Sequence, residues 1–315
     1  MKIVDFTSVH IEQAMQLAKD NYYAERAFVP ELPAVDTTLG LTHFAENRLG
    51  VAAVDGDKVL GFLCCYEPFE NAFSIQGLRG VFSPMGANGT VADRKAEIYA
   101  QLYQAASEKW VQAGVVSHAI NLYAHDKEAQ EQFFRYGFGM RTVDAIRSMD
   151  EITAPSIEGY SITEITQDNA LDALLLENEL HRSYINSPFF MYRSDVSEPD
   201  FMEYFATKEP TCFVAKHGKQ NIAFIIAEHD GETFIQDTPG YYHITGLYCL
   251  PEHRGKGISQ CLMNKLIQKM KMHGYTRLGV DYESFNPSGS GFWQKYFNEY
   301  AYGVVRRVDE SVVGR

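Results

Sequence analysis

Residues 244–274, ITGLYCLPEHRGKGISQCLMNKLIQKMKMHG, confine this chain to a narrow set of folds. Leu247, Tyr248, Cys249 and Leu250 form a short apolar run that reads as a strand, and Pro251 ends it. His253-Arg254-Gly255-Lys256-Gly257 is a compact basic turn. Beyond it Ile258, Cys261, Leu262, Leu266, Ile267 and Met270 recur at helical spacing, and Gly274 stands where a helix C-cap glycine belongs. A strand, a glycine-rich turn and a helix in this order bring the free N–H groups of a first helical turn to one point, with the helix dipole behind them. Glycines at 255 and 257 permit the dihedrals and the close backbone approach that aim those groups at one anion. Arg254 and Lys256 add positive charge. The stretch predicts a pyrophosphate cradle over Arg254, Gly255, Lys256, Gly257, Ile258 and Ser259.

Two other phosphate motifs fail on the same letters. A P-loop needs Ser or Thr after its Gly-Lys, but Gly257 follows Lys256; a dinucleotide fingerprint needs a third glycine where Gln260 stands. Arg254 to Ser259 does fit Arg/Gln-x-x-Gly-x-Gly/Ala, with Ser259 as the last small residue. In this it resembles the acyl-CoA-binding motif of the GNAT superfamily of N-acyltransferases. The resemblance implies an α/β fold, a twisted mixed β-sheet flanked by helices, and acetyl-CoA as co-substrate. It implies that the pantetheine arm pairs along Leu247, Tyr248 and Cys249. Asn286 would contact that arm and Trp293 would pack near the sulfur. Many members have a proton-donating tyrosine where Trp293 stands, so that acid does not carry over, and Tyr296 one turn later is the substitute. Members attack the thioester directly, so Cys249 reads as a buried strand cysteine rather than a nucleophile.

The proton acceptor stays open between His243 and Glu283, with Glu228 as a third option. Period-two alternation puts His243 and Thr245 on one face of their strand, and Asp281 and Glu283 on one face of the next. Acceptor choice in such enzymes falls to the early helices, here residues 180–204. Its aromatics suit either a pocket wall or a packing surface.

The 315 residues contain a repeat. Ile3-Val4-Asp5-Phe6-Thr7 aligns with Ile162-Thr163-Glu164-Ile165-Thr166, and Arg147 to Glu151 aligns with Arg306 to Glu310. Duplication of about half the chain predicts a tandem of two GNAT-like domains, residues 1–151 and 160–315, joined by a linker at 152–159. Ser83 to Gly89 reads as the first copy's counterpart of the basic turn, without its Arg and Lys. Phe133 stands for Trp293, and no comparable Asn precedes it. The first domain is therefore expected to be a degenerate copy. A side chain at Gly257 should collide with a bound pyrophosphate, whereas one at Gly86 should not affect binding.

A formal charge of −13 argues against nucleic acid as a partner. Five cysteines without metal-ligand spacing suit a reducing cytoplasm and imply no metal site. No run approaches a membrane span. The sequence thus points to an N-acetyltransferase acting on a small-molecule primary amine in the cytoplasm. The alternative is a non-catalytic CoA-binding or scaffold protein, and a homo-oligomer stays open.

Overall fold

The structure, a computed structural model, describes residues 1–229 and 233–314. Along the chain come β1 (Lys2–Asp5), α1 (Ile11–Arg26), α2 (Thr42–Glu46), β2 (Val51–Asp55), β3 (Lys58–Leu63), β4 (Gly80–Ser83) and β5 (Asn88–Thr90). They are followed by α3 (Lys95–Gln112), β6 (Ser117–Tyr123), α4 (Lys127–Arg135) and β7 (Gly139–Ser148). The second half contains β8 (Tyr160–Ile165), α5 (Leu171–Ser183), α6 (Glu198–Lys208), β9 (Thr211–His217), β10 (Gln220–Glu228) and β11 (Tyr241–Cys249). It ends with α7 (Ile258–Met272), β12 (Arg277–Glu283), α8 (Pro287–Trp293) and β13 (Asn298–Arg307). Two compact units result. The first takes residues 1–144, 282–284 and those from Glu299 onward; the second takes 145–281 and 285–298. The units are not divided where the sequence repeat is, because the last strand, β13, pairs antiparallel with β6 of the first half.

In the first unit β1, β2, β3 and β5 form an antiparallel sheet. The Asp55-Gly56-Asp57 turn closes the β2–β3 hairpin, with Gly56 at φ +58°. β4 lies parallel to β6 from Gly80↔Ser117 to Ser83↔Ile120. Helix α3 buries Ile98, Tyr99, Leu102, Tyr103, Ala106 and Trp110 on one face. That face packs on Val51, Leu63, Ile120, Leu122 and Phe133, each full burial of a large apolar side chain stabilising by about 1.5–3 kcal/mol.

In the second unit the strand order is β12-β11-β10-β9-β8, with β11 and β12 parallel and the others antiparallel. Helix α7 buries Ile258, Leu262, Met263, Leu266, Ile267 and Met270, the predicted stripe with Met263 added and Cys261 at its partly exposed margin. On another side, Ala173, Leu174 and Leu176 of α5 and Phe201 and Phe205 of α6 share a core with Val214, Phe224, Ile226 and Tyr248.

The structure corrects the first unit's basic-turn counterpart. Gly114 and Gly274, both at positive φ after a helix, set an offset of 160 residues between the copies. At that offset Arg254 matches Arg94, the residue preceding α3. The segment leading into the helix is thus Val91 to Arg94. Ser83 to Gly89 instead lies between and within β4 and β5, at the level of the middle of β11. Proline and glycine drew the sequence reading to Pro84 and Gly86, but they turn the chain inside an interrupted strand.

One contact fixes the β11–β12 spacing. A Cβ built on Gly279 falls 1.6 Å from Oη of Tyr241, whose side chain is fully buried. Gly279→Ala is expected to lower unfolding free energy by about 1–3 kcal/mol through overpacking, read from denaturant melts. A variant as stable as the parent would show that the ring can move aside.

Candidate functional site

The site is built where β11 and β12 part. Their ladder runs from Tyr241↔Arg277 to Ile244↔Val280 and ends there. On its other side β11 stays paired with β10 as far as Ala223↔Cys249. In that ladder Ile226 faces Gly246 and Ala227 faces Ile244, so Thr245 is the extra residue of a β-bulge. Gly246 is the small residue that fits here, since a Cβ on it falls 2.9 Å from Ile226 Cγ2. The bulge overrides the simple alternation expected for His243 and Thr245. His243 is buried and Thr245 is exposed.

His243 sits in a hydrogen-bonded chain. Its Nε2 lies 2.9 Å from Oδ1 of Asp281, and its Nδ1 lies 3.3 Å from Nε2 of Gln236 and 3.4 Å from the Tyr241 hydroxyl. The imidazole is 6% exposed while the Asp281 side chain is 55% exposed, so the pair spans from core to solvent at the first unpaired position of β12. Loss of water among its neighbours pulls the Asp281 carboxyl upward, but the hydrogen bond and charge of His243, with Arg193 nearby, outweigh it. The carboxyl is held below its ordinary 3.8. Asp281 and Gln236 are the members of this chain that sequence reasoning did not select. The period-two rule had named Asp281, but nothing in the letters marked it as the partner of His243.

Beyond the bulge, β11 presents Leu247, Tyr248 and Cys249, and the turn Pro251–His253 leads to Arg254. Arg254 folds back: its Nε donates to the Cys249 carbonyl at 2.9 Å, and its guanidinium lies 5.5 Å from the Tyr248 ring centroid. Burial pushes the Cys249 thiol up to about 11, which suits a packing cysteine rather than a nucleophile. Gly255 and Gly257 adopt φ +75° and +82°, the conformations that this motif needs. Ile258 is buried and Ser259 half-buried at the start of α7. The helix begins from Gly257 with no side-chain cap and no acidic residue in its first turn, an arrangement that fits a phosphate. Lys256 Nζ lies 3.3 Å from the Tyr160 hydroxyl, which is 3.1 Å from Nδ1 of His253.

The remaining sequence-selected residues are placed differently. Asn286 caps α8: its Oδ1 accepts from the Gly289 N–H and the Ser288 hydroxyl, both at 2.9 Å. Trp293 is buried edge-on against Phe292 and Phe297. Tyr296 packs on Phe292, with ring centroids 5.2 Å apart. Glu283, the last residue of β12, is buried and belongs to the first compact unit, whereas His243 belongs to the second.

The aromatic segment after α5 contributes to the second unit's own surface. Phe189 meets Phe285 edge-on at 5.9 Å, and Arg193 stacks over Tyr184 at 4.2 Å. Arg193 also acts on Asp281, which ties this segment to the splayed strands. Tyr204 of α6 brings its hydroxyl to Glu228 and Thr245, and burial followed by the Glu228 charge drives its pKa far up. Tyr204 is a third residue of the site that the sequence does not distinguish. Among the described residues no group of acidic, histidine and cysteine side chains could hold a metal, and no helix is long and apolar enough to cross a membrane.

Residues 178–298 match the model of the Acetyltransferase (GNAT) family. No curated protein matches the sequence. Among solved structures, the chain is similar to a GCN5-related N-acetyltransferase from Sphaerobacter thermophilus, at 10% identity over 97% of this chain and 95% of that one, with a TM-score of 0.60. A tandem GNAT protein from the clavulanic acid biosynthesis pathway is 11% identical over 97% and 98%, with a TM-score of 0.50. A GNAT-family acetyltransferase from Colwellia psychrerythraea is 13% identical over 98% and 100%, also at 0.50. At such identities the likeness establishes the fold, and the family match places its domain in the second half. The chain carries a GNAT-family acetyltransferase domain at residues 178–298 and has a tandem GNAT fold.

Proposed function

We propose that the second half is an N-acetyltransferase that moves the acetyl group of acetyl-CoA to the primary amine of a small molecule, in the cytoplasm. The observation that carries this reading is the His243–Asp281 pair at the end of the β11–β12 ladder, one residue from the bulge at Thr245. In this reading the N-terminal turn of α7, with Gly255, Lys256 and Gly257, receives the pyrophosphate, and the edge of β11 at Leu247 to Cys249 pairs with the pantetheine arm. The neutral amine nitrogen adds to the thioester carbonyl carbon, the tetrahedral adduct collapses to the amide as the C–S bond breaks, and the departing thiolate takes a proton from solvent. Asp281, the exposed member of the pair, accepts the amine's proton, and buried His243 behind it holds the carboxylate in place and shares the charge. Carboxylates at Asp281 and Glu228 favour an acceptor that arrives as a cation, which gives up its ammonium proton to solvent before the nitrogen attacks.

A second reading, a non-catalytic CoA-binding protein, is favoured by the placement of Trp293. Its indole lies in an aromatic core, so no side chain at that position serves as the acid. The two readings part on activity. Screened with acetyl-CoA against a library of primary amines, the wild-type chain is expected to release CoA with at least one. Asp281→Asn and His243→Gln are each expected to lower kcat roughly 10²–10⁴-fold, with KM for acetyl-CoA little changed. Binding without turnover across the library would select the second reading, and full activity in both variants would remove the pair from the mechanism.

The pair also sets a pH dependence of stability. The Asp281 pKa is depressed in the folded state, so its contribution is present above the unfolded value of 3.8 and is lost as the pH falls through the folded one. The Tm difference between wild type and Asp281→Asn is expected to be full at neutral pH and to close on acidification. A difference that stays constant into strong acid would show that the carboxylate charge is not what the pair contributes.

A further inference from the structure

The segment between β7 and β8 runs along one side of α7. Gln268 Nε2 donates to the Glu151 carboxylate at 2.9 Å. The Asn264 side chain brackets Ile152: Oδ1 accepts from its N–H at 2.8 Å and Nδ2 donates to its carbonyl at 2.5 Å. The Cys261 thiol donates to the Pro155 carbonyl at 3.2 Å, and the Pro155 ring lies against Gly257. Positions 268, 264, 261 and 257 form one stripe of the helix, and it leads to the helix N-terminus. After the tip, Tyr160 rejoins the fold as the first residue of β8, paired with His217 of β9. Residues 153–159 are therefore held at both ends and lie outside every helix and strand.

The hold weakens toward the tip. Asn264 makes two amide hydrogen bonds, a thiol is a weak donor, and a prolyl ring adds van der Waals contact alone. At that tip the strap and the anticipated ligand compete for space. A Cβ built on Gly257 falls 2.1 Å from Pro155 Cγ and 2.7 Å from Cδ, so the ring fills the approach to Gly257. Pro155 offers the first-turn N–H groups of α7 no acceptor, because its ring is apolar and its carbonyl takes the Cys261 thiol. By contrast a Cβ on Gly255 would meet nothing within 4 Å. Half of the cradle is open and half is covered. The sequence-based expectation for Gly257 changes accordingly, since a side chain there also meets Pro155.

Building on the acyl-CoA reading above, we propose that residues 152–159 are a strap that closes on the cofactor loop. The strap lifts from Ile152 to Pro155 to admit the pyrophosphate of an acyl-CoA, breaking the Asn264 and Cys261 hydrogen bonds, while the Gln268–Glu151 hydrogen bond holds its root. Admission of the co-substrate then depends on the open fraction of the strap, and apparent affinity is the intrinsic affinity scaled by that fraction. Asn264→Ala removes two hydrogen bonds from the closed state alone and is expected to tighten the Kd for acetyl-CoA and raise kon by roughly tenfold. Pro155→Ala, in an exposed stretch outside the elements, is expected to act in the same direction by a smaller factor. It keeps the test valid if Asn264→Ala misfolds.

Titration calorimetry and stopped-flow binding with acetyl-CoA give these values for the full chain. Hydrogen exchange follows the amides of residues 152–158 and should be faster with acetyl-CoA bound. Wild-type Kd and kon in both variants, or slower exchange on binding, would overturn the strap while leaving the acyl-CoA reading intact. Failure of all three proteins to bind would overturn both.

Discussion

The candidate site of the second unit depends on where one ladder stops. β11 and β12 are hydrogen-bonded over four residue pairs and then part at Ile244↔Val280, while β11 continues against β10. Parting alone would leave an apolar edge. The bulge at Thr245 shifts the register at the same level, which leaves His243 in the core and Thr245 outside. Asp281, the first β12 residue past the ladder, then has both a buried imidazole to bond and an exposed carboxylate to present. A continuous ladder would give neither. The position of Gly279 under the Tyr241 ring shows how closely the paired part is packed, and a rigid paired segment is what fixes the geometry of the open one.

Much of this was legible because it is local. Helical spacing from Ile258 to Met270, positive-φ glycines at 255, 257 and 274, and the Asp55-Gly56-Asp57 hairpin are short-range signals with one physical meaning each. What the letters did not carry was register. A bulge displaces a side chain without altering composition, so alternation misplaced Thr245 relative to His243. Asp281 lies 38 residues from His243, and only the parallel pairing of two strands brings them together. The first unit's turn was misread for a related reason: Pro84 and Gly86 interrupt a strand, and glycine content alone does not distinguish that from a loop before a helix.

The two copies differ in chemistry more than in shape. At the offset of 160, Asp126 caps α4 as Asn286 caps α8, each accepting a backbone N–H three residues on. The dyad positions do not correspond: Ser83 stands for His243 and Asn121 for Asp281. Ser83 and the Asn121 carbonyl instead take hydrogen bonds from buried Asn88. The helix cap is therefore present in both copies, whereas the ionisable pair is present in the second alone.

Helix starts make the same distinction. α4, α6 and α8 are each capped by a side chain, from Asp126, Ser197 and Asn286. α1, α2, α3, α5 and α7 begin without one, and of these only α3 and α7 start from a residue in the left-handed region. In α3 the deficit is met within the chain: Glu97 lies in the first turn and pairs with Arg94. Glu97 occupies the position that is Gly257 in the second copy. A carboxylate there offsets the helix dipole and repels a phosphate, whereas a glycine leaves the first-turn donors uncompensated. α7 has no acid in that turn, and its nearest covering group is the Pro155 ring, which cannot accept a hydrogen bond. A helix start left unsatisfied by its own side chains and covered by an apolar ring is stabilised by whatever anion displaces that ring.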